Sequence, residues 1–571
     1  MIGVFGYLTW RSAHNRFIRQ IRRLQSPRYL AALLLGVAYI WFIVVGQRPT
    51  QATSPDPRVV ELVGALAILG AVAWGWIFGV ERRVLAFTPA EVTFLFSGPV
   101  SRRGLIQFKL LRSQLLILFN ALLWTLILSR EEVGVSSGLR VLSIWVLLTT
   151  LSLHRLGASF VRTSVAEHGR LGLRHRVVSL LVLILVLIAL GWSVVEALPE
   201  LGAARGDVRT FLAAAADAAQ RPLPNALLYP FRVMMRPLAA ETASQWAAAF
   251  WPALVLMLLH YIWVLRSDTA FEEAAAEVSL RRAQAIATPR SNGSGTSPAG
   301  SSAGRALLRL SPHGWPAGAI LWKNLVAATR TRRVRQIMLL LVVAGATVGV
   351  LSFDPEGTLA EIAGWLAVIW AGMLVVIGPQ YVRNDLRGDL LKVDLLRSYP
   401  VRGWSVVLAE AGASTLLLTA IQLSLLSIGY LAFLGNSSMT PDLQERTFLL
   451  FACMAFLPPV NLLGMLIQNG AALLYPAWVH LGSGRAAGVE VLGQNLLMMV
   501  AFMAMLALVL VLPATIGGGA FLLLHPTLGS WALVPASGLT LAVIGFEAAL
   551  IIEWLGRLFE QTDPASAGIA V

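Results

Sequence analysis

About a dozen apolar runs, each roughly 18 to 30 residues long, set the terms on which this chain can fold. At about 1.5 Å per residue such a run crosses a hydrocarbon core of about 30 Å as one helix. The expected fold class is therefore all-α: a polytopic integral membrane protein. Composition agrees, because 57% of the 571 residues are hydrophobic and 13% charged, against about 25% charged in a soluble domain. Mean hydropathy is +0.71.

The spans are expected near Tyr29–Val45, Val59–Val80, Leu105–Leu128, Leu139–Val161, Val178–Val195 and Trp246–Leu265, then Ile337–Phe353, Leu359–Pro379, Trp404–Leu434, Phe448–Leu474, Asn495–Leu524 and Trp531–Leu555. Ahead of the first, Arg11, Arg16, Arg19, Arg22, Arg23 and Arg28 alternate with Trp10, Phe17, Ile18 and Ile21, the pattern of an amphipathic helix lying on headgroups over residues 1–28. That start lacks the order of a signal peptide, so the amino terminus is expected to be retained. Arg82, Arg83, Arg102 and Arg103, then Arg162, Arg170, Arg174 and Arg176, fall in loops on the amino-terminal side, whereas the opposite loops, with Asp354, Glu356 and Glu361 in one and Asp442, Glu445 and Arg446 in another, lack that positive excess. The positive-inside rule makes the basic side, with both termini, cytoplasmic. The localisation expected is the bacterial plasma membrane.

A net charge of +15 raises the question of nucleic acid. The cations sit in short loops between apolar runs, where anionic lipid headgroups are the natural partner, and no nucleic-acid reading module is recognisable. Cys453 is the only cysteine, so no intramolecular disulfide and no cysteine-rich metal site can form. His168 and His175 are too far apart in sequence, and too short of acidic neighbours, to make a metal pair.

Domain organisation follows from Ser291–Gly304, a Gly/Ser-rich stretch unable to bury enough apolar surface to order itself. It divides a first six-helix half, 29–266, from a linker region, 267–315, and a second half, 316–571. Leu198 to about Gln245, with Pro222, Pro224, Pro230 and Pro237, reads as an extracytoplasmic loop holding short interfacial helices. The run from Asn495, interrupted by Pro513 and Gly517-Gly518-Gly519, is expected to break into a span and a re-entrant piece.

The two halves repeat. LTWRSAHNRFIRQIRRL, with Trp10 and Arg11, is matched by ILWKNLVAATRTRRVRQI, with Trp322 and Lys323; FLFSGPVSRRG, with Pro99 and Val100, is matched by LLRSYPVRGW, with Pro400 and Val401. Even numbers of spans give both halves one orientation, a parallel repeat.

Three stretches, Val92–Leu115, Asn384–Glu410 and Ile467–Leu497, carry a resemblance to bacterial ABC-2-type permeases and more closely to the Putative ABC exporter family of large fused permeases. The resemblance implies export driven by a separate ABC ATPase, in two copies, with ATP and magnesium held by that partner. It also implies that the amphipathic helix and the loop between the second and third spans dock on the ATPase. The coupling residues would be Trp10, Arg11, Phe96, Pro99, Arg102 and Arg103 in one half, with Trp322, Lys323, Asp394, Pro400 and Arg402 in the other. Proline would fix the turn and arginine would offer a planar fork to the partner; fixing topology against lipid is the plainer role for the same arginines.

No Walker A sequence occurs, so no ATP hydrolysis is expected in this chain, and no nucleophile elbow, zinc-protease helix or Rossmann fingerprint is present. Ionisable and amide groups within spans are candidates to line a pathway: Glu547, His154, His260, Asn461 and Gln468, with Asn469 beside them. Interhelical hydrogen bonding is the alternative use for the amides and histidines. An intramembrane enzyme and a secondary transporter are the other function classes; the substrate is not readable, since a lipid, peptide, drug or polysaccharide would suit an apolar pathway.

Overall fold

The computed structural model describes residues 56–78, 102–128, 135–167, 170–204, 208–266, 313–351, 358–390, 393–433, 442–475 and 492–562, with a few isolated positions. Nearly all of the described residues are helical, and none of them forms a strand. Nine stretches among them are long and apolar enough to cross a membrane, the last of which, Met498–Gln561, takes in two helices; Val334–Gly349 is a shorter apolar helix. The expected first span, Tyr29–Val45, and the linker Ser291–Gly304 lie outside the described residues.

Helices form two compact units. The first comprises α1 (Pro57–Phe78), α2 (Arg102–Leu128), α3 (Ser137–Glu167), α4 (Arg170–Ala203), α5 (Val208–Ala218), α6 (Pro222–Ala239) and α7 (Ala243–Arg266). Its core is built by α3 and α7, through Val146, Leu153, Leu156, Phe160, Met257 and Val264. Helices α5 and α6 are the short helices expected between Leu198 and Gln245. Pro222 starts α6 at its first position, where no amide donor is needed, whereas Pro230 and Pro237 lie inside the helix.

The second unit comprises α8 (Gly318–Arg330), α9 (Arg332–Leu351), α10 (Thr358–Tyr381), two short turns of helix, α11 (Leu386–Asp389) and α12 (Val393–Arg397), then α13 (Gly403–Ala432), α14 (Leu443–Leu474), α15 (Leu492–Leu528, from Leu496 onward) and α16 (Leu533–Gln561). Helix α13 is its hub, packing on α8, α9, α10, α14 and α16.

One sequence expectation is corrected. The last apolar run does not break at Pro513 or at Gly517-Gly518-Gly519; α15 continues through them, and the chain turns at Gly529, whose φ of 57° suits a residue without a side chain. In lipid a backbone gains nothing by leaving the helix at a glycine, because no water waits to accept its hydrogen bonds.

Candidate functional site

The segment between α10 and α13 is the second copy of the repeated loop. Asp385 caps α11 by accepting from the Arg387 backbone N–H at 3.1 Å, and its carboxylate takes Arg387 Nε at 2.9 and 3.0 Å. Arg387, only 2% exposed, also donates to the Val382 carbonyl at 2.7 Å and to Gln468 Oε1 at 3.2 Å. This buried fork joins the end of α10 to α14.

Helix α8 is fastened to the same segment by a second set. Asn324 Nδ2 donates to Glu410 Oε2 at 2.7 Å, and Lys323 Nζ contacts the Asp389 carboxylate and lies 3.7 Å from Glu410 Oε1. Asn384 donates to the Asn324 carbonyl at 3.3 Å and receives the Ser414 hydroxyl on its own carbonyl at 3.0 Å. Burial would lower the Lys323 pKa, but the Glu410 charge and the Asp389 carboxylate outweigh it and hold it above 10.5. With the carboxylates ionised, the lysine's share of this stabilisation is held up to its ordinary pKa and lost as pH climbs through the raised value.

Beyond α12 the chain meets the end of α16. Arg397 donates to the Glu560 carbonyl at 2.6 Å and the Thr562 carbonyl at 2.8 Å, a cation on the negative end of a helix. Arg402 at the α13 N-cap makes no side-chain cap; Glu560 supplies the acceptor, taking the Gly403 N–H at 2.7 Å. The backbones touch here: a Cβ on Gly403 would stand 2.4 Å from the Gly556 carbonyl oxygen, and one on Gly556 would stand 2.3 Å from Trp404 N. Only glycine fits at either place.

Held at both ends, the segment exposes Asp394, Leu395, Tyr399, Pro400 and Arg402 as one short stretch of surface, with Leu395 54% and Tyr399 45% exposed. Three of these, Asp394, Pro400 and Arg402, are residues expected from the sequence to couple. Trp322 is half-buried on α8, so of the expected α8 pair only Lys323 is exposed. In the first copy, Phe96 and Pro99 lie outside the described residues; Arg102 and Arg103 open α2, but their side chains are likewise outside the description. Trp10 and Arg11 are helical and exposed, Trp10 stacking on His14 with centroids 6.4 Å apart.

The family model described as Putative ABC exporter matches residues 3–390, more than half of the chain and up to the close of α11. The chain belongs to that family. No curated protein and no solved structure matches. Membership makes this a membrane protein with a transport role, a permease that is not itself catalytic, and implies an ATPase partner in general.

The exporter's candidate pathway residues fall into separate sets. His154 and His260 meet across α3 and α7, Nδ1 to Nε2 at 3.3 Å, with Trp76 Nε1 donating to His154 Nε2 at 3.2 Å and His260 Nδ1 2.8 Å from the Leu256 carbonyl. Asn461 Nδ2 donates to Thr419 at 2.8 Å and Gln422 at 2.6 Å, while Gln422 donates to the Ala371 carbonyl at 3.2 Å, so three helices share one amide network. Gln468 serves Arg387. Glu547 Oε2 on α16 is occluded without a hydrogen-bond partner among the described residues.

Sequence reasoning missed Asp389, Glu410, Arg397, Glu560, Leu395, Tyr399 and the Gly403–Gly556 contact. A carboxylate at Glu410, inside a predicted span and one helical turn from Ser414, was a usable signal: buried charge in lipid demands a partner.

Proposed function

We propose that this chain is the permease of an ABC-2-type exporter in the bacterial plasma membrane, two fused halves of parallel topology with basic loops and both termini cytoplasmic. Two copies of a separate ATPase would bind ATP and magnesium and drive it. The observation that carries the reading is the anchored stretch from Asp394 to Arg402. A surface that is to transmit closure of a motor must be stiff behind and exposed in front. Ahead of it Arg387 ties the segment to α10 and α14, within it Arg397 reaches α16, and just beyond it Glu560 of α16 holds the start of α13. The family match supports the partner; the paired loops at 99–103 and 400–402 support one docking surface per half.

Purification of the chain from its native membrane, with nucleotide hydrolysis as readout, tests this. An ATPase should accompany the chain, and Leu395→Asp with Tyr399→Asp should release it while leaving the melting temperature unchanged, because both side chains are exposed. Recovery of the wild-type chain with no ATPase rejects the permease; equal recovery with the double variant rejects this docking surface. Gradient-driven transport in vesicles without nucleotide would favour a secondary transporter.

A further inference from the structure

At the end of the first unit where α1 and α7 begin, Arg58, Glu61, Arg236, Glu241 and Gln245 line an open cavity of about 270 Å³. Both helices start candidate spans at this end, so the cavity lies at the depth of lipid headgroups. Beneath it Arg232, 3% exposed, is fixed by Glu61 Oε1 at 2.5 Å, Asn225 Oδ1 at 2.7 Å and the Ala219 carbonyl at 3.3 Å.

Arg236 is held differently. Its Nε donates to the same Glu61 oxygen at 3.1 Å, and its guanidinium carbon lies 5.6 Å from the centroid of Tyr229. Those contacts use the back and one face of the group; its two terminal amino groups have no partner among the described residues. A guanidinium fixed in this way offers its outer fork to two oxygens of a phosphate. Gln245 is also fixed, since its Oε1 accepts the Glu241 and Thr242 amides at 3.1 and 3.3 Å, leaving its NH₂ as a further donor.

The charge balance decides what kind of phosphate fits. Arg58 is neutralised by Asp217 at 3.0 Å and by Asp56, so the cluster sets three guanidiniums, of Arg58, Arg232 and Arg236, against four carboxylates, of Asp56, Glu61, Asp217 and Glu241. A plain anion would meet a field of the wrong sign. Glu241, exposed and with no ion-pair partner among the described residues, is the group that asks for a cation. We propose that this cavity binds a phosphate ester bearing a primary ammonium, the headgroup chemistry of an aminophospholipid, with the phosphate on the Arg236 fork and Gln245 and the ammonium at Glu241.

The test uses the purified full chain in non-ionic detergent and native mass spectrometry, so it needs no ATPase and stands apart from the transport reading. Phosphatidylethanolamine and phosphatidylglycerol of identical acyl chains are offered in turn. The ethanolamine lipid should bind more tightly by about tenfold, the worth of one charge-assisted hydrogen bond. Glu241→Gln, a surface change that the fold will tolerate, should erase that preference without weakening the glycerol lipid. Arg236→Lys, which keeps the charge and loses the fork, should weaken both. Displacement by soluble phosphoethanolamine would show that the headgroup suffices; retention of the lipid against it would show that the site reads the headgroup on a lipid. Equal binding of the two lipids by the wild type, or wild-type preference in Glu241→Gln, overturns the proposal.

Discussion

Gly556→Ala tests the anchor of the exposed stretch with a sign, not only a size. The added methyl carbon would stand 2.3 Å from Trp404 N and 2.6 Å from its Cα, where ordinary contact begins at 3.4 Å. The obstacle is backbone, which cannot rotate away, so α13 and α16 must part by about 1 Å; overpacking of this kind costs about 1–3 kcal/mol. Alanine recovers about 0.5–1 kcal/mol of helix propensity over glycine, leaving a net loss of up to about 2.5 kcal/mol. Gly538 and Gly545 lie on the same helix, and a Cβ at either meets nothing within 4 Å. There the propensity gain stands alone, and alanine should stabilise by about 0.5–1 kcal/mol. Thermal unfolding of the three full-length variants in one detergent separates the cases. Gly556→Ala should melt below wild type and the other two at or above it. If all three shift alike, the close crossing is not the reason for glycine at 556, and the anchoring argument fails with it.

Two further outcomes follow from buried polar groups. Arg387→Leu leaves the Asp385 carboxylate buried without its fork and should cost about 3–5 kcal/mol; adding Asp385→Leu should recover part of that, and strictly additive losses in a double-mutant cycle would refute the pairing. The chain from Trp76 through His154 and His260 to the Leu256 carbonyl closes only if both rings carry their proton on Nδ1. Nitrogen NMR of the chain in lipid should find those tautomers, and Trp76→Phe should cost about 0.5–1.5 kcal/mol; an Nε2–H on His154 in the wild type would refute the assignment.

Fold class was legible because run length answers directly to membrane thickness, and that relation needs no tertiary information. The spans expected at Val59–Val80, Leu139–Val161 and Trp404–Leu434 correspond to α1, α3 and α13 within a few residues. The misplaced break in α15 shows the limit of local reading. Proline and glycine interrupt a helix where water can take over the freed groups, and the sequence alone does not say how dry a position is. The site was legible where it is local: Asp394, Pro400 and Arg402 lie within nine residues of one another and the structure exposes them together. Its supports were not, since Lys323 and Asp389 are 66 residues apart, and Arg397 reaches Glu560 across 163.

The polar residues inside the second unit bear on where a cargo can pass. Gln422 and Asn461 are at most 1% exposed; Asn461 Nδ2 donates to Thr419 and Gln422, and Gln422 donates to the α10 backbone, while Asn461 Oδ1 has no partner among the described residues. Glu410, fully buried, accepts from Asn324 on Oε2, while its Oε1 lies 3.7 Å from Lys323 Nζ and has no hydrogen-bond partner among the described residues. The bonds that are made hold α10, α13 and α14 together and fasten α8 to α13, at a worth of about 0.6–2 kcal/mol for each interhelical bond. The faces of these helices that remain free are apolar, with Leu366, Ile369, Trp370 and Leu416 more than half exposed. A polar cargo passing through the interior of this unit would have to break those bonds; Asn461 Oδ1, both amide atoms of Asn469 and Glu547 Oε2, which have no hydrogen-bond partner among the described residues, are the groups it could meet without doing so.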